Sequence, residues 1–260
     1  MAAVQPYGKG AYRELIRRAE AAGWSFGDFL GSLAAGRRTT YLRHDVDYSL
    51  ALAVELAELN HELGVSGTFC VQLRAQFYNA FEHREIERLL RLHDLGQAVA
   101  LHYVVDPRSA PTPDAVRREF ELLQTLVPDA VPVFSWHQPS AALLEADFEV
   151  PGLVNAYGPR FFREMPYLSD STHRVSVEAL QAELGQVEGS ELQLLLHPVN
   201  WIAGGSSGAE ILVRGWLRVL RDHERTLLAN RTYSEALPEG VTDGSLDALE
   251  ETLLAAIERA

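Results

Sequence analysis

The chain reads as an α/β protein whose parallel sheet is covered by helices and curls into a barrel. Three observations predict this. Apolar, β-branched runs alternate with amphipathic stretches in β-α-β-α order. The runs are continuously apolar rather than alternating, as befits strands buried on both faces. No glycine-rich turn follows the first run, which removes the phosphate-cradling loop of the open, doubly wound alternative.

The predicted strands are "TTYLRHD" (39–45), "SGTFCVQL" (66–73), "GQAVALHY" (96–103), "VPVFSWH" (131–137), "GLVNAY" (152–157) and "ELQLLLH" (191–197). Between them, residues 50–64, 82–96 and 112–127 carry helical periodicity, the first two stopped by Gly64 and Gly96. After the last strand, "AGGSSG" (203–208) is a loop, and residues 208–232 read as one long helix. The acidic, leucine-bearing tail 244–260 is amphipathic, suited to packing on its own body or, in a homo-oligomer, on a partner subunit.

With 260 residues, 47% hydrophobic and 23% charged, one domain spanning 1–260 with a large core fits better than two small ones. A formal charge of −13 repels phosphate polyanions, so nucleic acid is not an expected partner. A neutral, amine-bearing or metal-assisted small molecule suits that field. The single cysteine, Cys70, lies in an apolar run and reads as core. The first 23 residues lack an export-signal pattern, and no stretch approaches the ~18 apolar residues of a membrane span, so the expected location is cytoplasmic.

Four of the strands end in polar groups that a strand core does not need: His44, Asp45 and Asp47 at the first, then His102, His137 and His197. In a parallel barrel all C-terminal strand ends share one face, where active sites form. One strand-end histidine is ordinarily a satisfied or partly exposed side chain; four together argue for a site. His61, His83, His93 and His223 lie in helical patterns among charged neighbours and read as solvated.

A strand has period two, so Asp45 and Asp47 point to one side while Val46 turns into packing. Ionising two carboxylates that close is costly without a shared cation. A divalent metal resolves the conflict by taking one carboxylate as ligand and leaving the other free as base. His102 suits such an ion, zinc above all, as a second ligand.

The segments "RHDVD" (43–47), "ALHYVVD" (100–106), "SWHQPS" (135–140), "YLSDSTH" (167–173) and "LLLHPVNW" (194–201) together resemble the polysaccharide deacetylase superfamily, in that family's order. The resemblance implies a distorted (β/α) barrel of about seven parallel strands and a metal-dependent deacetylase of the chitooligosaccharide-deacetylase kind. By it, Asp45 is the general base, Asp47 and His102 are metal ligands, His197 is the general acid, and Asp170 pairs with that acid. The family's second motif is a His-x-x-x-His pair of ligands, and here the second position is Asp106. Its third motif offers an arginine that holds the base, and here that position is His137. The third ligand is therefore Asp106 or His137, with orientation of Asp45 as the alternative task for His137. Trp201 and Tyr103 are candidate walls of an acyl pocket.

The expected reaction is removal of an N-acyl group, in the first instance N-acetyl, from an amino sugar, glycan or related small molecule. Two alternatives are hydrolysis of another carbon–nitrogen amide, such as a cyclic ureide, and a non-catalytic binding domain on the same fold.

Overall fold

The computed structural model describes residues 6–30, 38–171, 175–236, 240 and 242–259. Its spine is a parallel sheet built from β1 (Trp24–Gly27), β2 (Arg38–Val46), β3 (Thr68–Val71), β4 (Ala98–Val104), β5 (Val133–His137), β6 (Val154–Asn155), β7 (Tyr167–Ser169) and β8 (Glu191–Leu196). Seven of them run in the order β6-β5-β4-β3-β2-β8-β7, and β1 pairs with the start of β2. The path curls into a half-barrel, the distorted (β/α) barrel expected from the sequence.

Across the gap between β6 and β7, side chains replace the backbone ladder. Gln193 on β8 donates to the carbonyls of Ala156 and Phe161 (3.0 and 2.7 Å), tying the far edge back to the centre.

Helix α1 (Lys9–Ala21) precedes the sheet; between its strands lie α2 (Leu50–Leu63), α3 (His83–Asp94), α4 (Pro113–Leu126), α5 (Ala141–Glu145), α6 (Pro159–Phe162) and α7 (Val177–Gln186), followed by α8 (Pro198–Ala203), α9 (Gly208–Leu228), α10 (Arg231–Ala236) and α11 (Thr242–Glu258). Local chemistry sets their ends. Ser49 caps α2 by accepting from Leu52 N–H, and Gly64 closes it in the left-handed conformation (φ 70°) that glycine adopts without penalty. Thr112 caps α4, with Pro113 in its first turn.

Three segments differ from the sequence reading. β1 and β7 are four and three residues long, too short for a periodicity signal. The helix predicted over 208–232 ends at Leu228, and Asn230 then caps a new turn by accepting from Thr232 N–H. The tail forms α11, which packs against α9 and is pinned by Arg221–Asp247 and Arg214–Glu250 pairs. Among the described residues, no helix is long and apolar enough to cross a membrane.

Period-two geometry on β2 separates two environments. Leu42, His44 and Val46 face the covering helices; Leu42 and Val46 join the main core. Tyr41, Arg43 and Asp45 face the barrel interior, where Tyr41 packs with Phe29, Cys70, Ala100, Val133 and Ala156. The small residues there leave room for a buried guanidinium and carboxylate. Arg43, fully buried, is tolerated because it pairs with Asp45 and donates to Gln193 Oε1 (3.1 Å).

Candidate active site

At the C-terminal mouth, Asp47, His102 and His137 converge, and one ligand atom from each lies within 4.8 Å of the others. Asp47 Oδ1 stands 3.1 Å from His102 Nε2 and 3.1 Å from His137 Nδ1. Donors bound tetrahedrally at roughly 2.0–2.1 Å sit about 3.3 Å apart, so these edges suit a small divalent ion.

Hydrogen-bond polarity gives a second test of fit. Ser135 Oγ donates to Asp45 Oδ1 (3.4 Å), so it accepts from His102 Nδ1–H (2.6 Å). A neutral His102 then presents a bare Nε2 lone pair to the Asp47 oxygen. Two facing lone pairs need a cation between them. The carboxylate and two imidazoles are also the donor set of a borderline divalent metal.

Asp45 lies just below, 2% exposed. Arg43 Nε and Nη2 grip its two oxygens at 2.8 and 2.7 Å, a bidentate geometry that fixes both position and charge. Burial alone would raise this carboxyl, but Arg43 and then His102 hold it below its ordinary value. Burial likewise opposes the charge on Asp47, and the facing His102 and His137 rings hold it well below the usual range.

His197 closes the opposite side. Its Nδ1–H meets Asp170 Oδ1 at 2.6 Å, and its Nε2 lies 3.7 Å from Asp47 Oδ2. Asp170, fully buried, also accepts from His197 N–H (3.0 Å) and Trp201 Nε1–H (2.8 Å). Burial would favour a neutral ring, yet the Asp170 charge and hydrogen bond raise His197 to about 9.

These groups border a cavity of about 480 Å³, walled by Trp136, Leu144, Tyr157, Phe162 and Tyr167. Directly after His137, Gln138 takes a left-handed backbone (φ 51°) that turns the chain off the strand at the cavity rim.

The structure thus brings together Asp45, Asp47, His102, His137, His197 and Asp170. Asp106 does not join them: its carboxylate turns outward onto the side chain and backbone N–H of Arg108. His137 faces Asp47, and the grip on Asp45 comes from Arg43 instead. Trp201 and Tyr103 do not wall the cavity. Trp201 is buried against Tyr7 and Tyr12, and Tyr103 packs edge-on to Trp136, which is the wall.

Sequence reasoning missed Arg43 and Ser135, although the parity argument that paired Asp45 with Asp47 extends to Arg43. Ser135 lies opposite His102 in register, which only the strand alignment reveals.

No family model and no curated protein matches the chain. Solved structures similar to it include a peptidoglycan deacetylase from Bdellovibrio bacteriovorus (TM-score 0.42, 16% identity, 78% of this chain and 54% of that one). Others are a CE4 family pseudoenzyme from Bacillus anthracis (TM-score 0.39, 14% identity, 73% and 63%) and a family 4 carbohydrate esterase from the same organism (TM-score 0.33, 17% identity, 86% and 93%). The chain spans less than two thirds of the length of the first two.

Proposed function

We propose that the protein is a metal-dependent hydrolase that removes an N-acyl group, in the first instance acetyl, from an amino sugar or related small molecule. The observation that carries this reading is the placing of an anchored carboxylate, Asp45, and a carboxylate-paired imidazole, His197, on either side of the Asp47–His102–His137 group. A divalent ion, zinc by the donor set, held by those three residues would polarise the acyl oxygen and make a water molecule more acidic.

Asp45 serves as general base. Held ionised and oriented by Arg43, it accepts the proton of the attacking water. His197, kept protonated by Asp170, delivers a proton to the amine nitrogen as the carbon–nitrogen bond breaks, because an amide anion is too poor a leaving group. The apolar cavity wall receives the uncharged parts of the substrate.

Metal analysis combined with an amine-release assay on N-acyl amino sugars and other amides, cyclic ureides included, tests this reading. Asp45→Asn keeps the metal and loses turnover by about 10²–10⁴-fold, whereas Asp47→Ala loses the metal. Full metal occupancy in Asp47→Ala rejects the assignment.

A further inference from the structure

Strands β2, β4 and β5 supply the three donors described above, and β3, lying between β2 and β4, sends a side chain to the same point. Gln72 follows β3 directly, and the pairings Val46↔Val71 and Val71↔Leu101 set it beside Asp47 on one side and His102 on the other. It is 2% exposed. Its N–H donates to Tyr78 Oη (2.8 Å), whose hydroxyl donates to Val46 O (2.9 Å), tying this strand end to β2.

The amide Nε2 of Gln72 lies 2.8 Å from Asp47 Oδ1 and 3.2 Å from His137 Nδ1. Those lengths bracket the 3.1 Å edges between Asp47 and the two histidines, so the amide terminus keeps donor-like spacing from two of the three ligand atoms. With a cation bound, an NH₂ group there would point its positive hydrogens at positive charge. A half-turn of the terminal amide puts the carbonyl oxygen in its place without moving the backbone.

We propose that the Gln72 amide oxygen is a fourth protein donor to the divalent cation. Four protein donors would fill a tetrahedron and leave no position for water or substrate. The site therefore takes an ion that accepts five or six ligands, with Asp47, Gln72, His102 and His137 on one side and the cavity on the other. This inference rests on the metal-dependent reading above.

A crystal structure of the full chain loaded with Co²⁺ or Zn²⁺ tests it, together with chelator-competition affinities for Gln72→Leu and Gln72→Glu. The expected result is Oε1 at roughly 2.0–2.4 Å from the ion. Gln72→Leu weakens affinity by about tenfold or more, and Gln72→Glu retains tight binding. An ion held by Asp47, His102 and His137 alone, with the Gln72 amide still bonded to Asp47, overturns the assignment and leaves the metal centre standing. A wild-type chain that binds no divalent ion overturns both. Should Gln72→Leu fail to fold, the loaded wild-type structure decides.

Discussion

His44, near the end of β2, and His197, directly after β8, lie on neighbouring strands, and His44 pairs in register with Leu196, the residue before His197. Both rings are largely buried, yet burial pushes His44 down to about 3, while Asp170 overcomes burial and lifts His197 to about 9. The difference is the partner. His44 faces the helices, where its Nε2 accepts from the Asn60 amide (3.2 Å) beside the Tyr12 hydroxyl. His197 faces the mouth and sits on a carboxylate. One strand-end histidine is thus a neutral core residue and the other a charged group ready to release a proton, and no property of histidine itself separates them.

Removing the carboxylate is the most damaging way to break this contrast. Asp170→Asn lowers turnover by about 10²–10⁴-fold and moves the alkaline limb of the pH–rate profile from near 9 toward an ordinary histidine value. A steady-state profile of the variant checks it, and a limb that stays in place refutes the pairing.

The next effect is on stability, and the two rings have opposite signs. His197, raised in the folded state, stabilises fully below its unfolded value near 6.5, and that contribution is lost as pH rises through about 9. His44, depressed when folded, contributes stability above 6.5 that drains away as pH falls toward about 3. The His44 span corresponds to an order of 3–5 kcal/mol. Denaturation midpoints between pH 7 and 4 should therefore fall steeply in the wild type and less steeply in His44→Gln.

The smallest effect sharpens the comparison by its absence. Asp106→Ala should leave metal content and turnover near wild-type values, because its carboxylate is committed to Arg108 at the surface. Lost metal in that variant would return Asp106 to the ligand set.

How far the sequence carried this reading depended on the range of each signal. The continuous apolar runs made β2, β4, β5 and β8 legible, since burial on both faces leaves a strong compositional mark, and their polar ends pointed to one face. Asp45, Asp47, His102 and His197 were legible for the same reason. The choice between Asp106 and His137 was not, because it turns on which way a loop carboxylate folds after a strand ends. Arg43 and Gln72 were hidden in a different manner: Arg43 sits beside Asp45 by the same period-two geometry yet looks like ordinary strand sequence, and Gln72 does so until the register sets it beside Asp47.

Cys70, the chain's only cysteine, pairs in register with Asp45 and is fully buried. Burial, with the neighbouring Asp45 charge, lifts its thiol to about 12, so the nucleophilic thiolate is scarce and out of reach in the closed fold. Alkylation therefore requires the barrel to open at Asp45. Its rate is a built-in clock for local opening of the site, and it will slow by whatever factor a bound ion or substrate analogue favours the closed state.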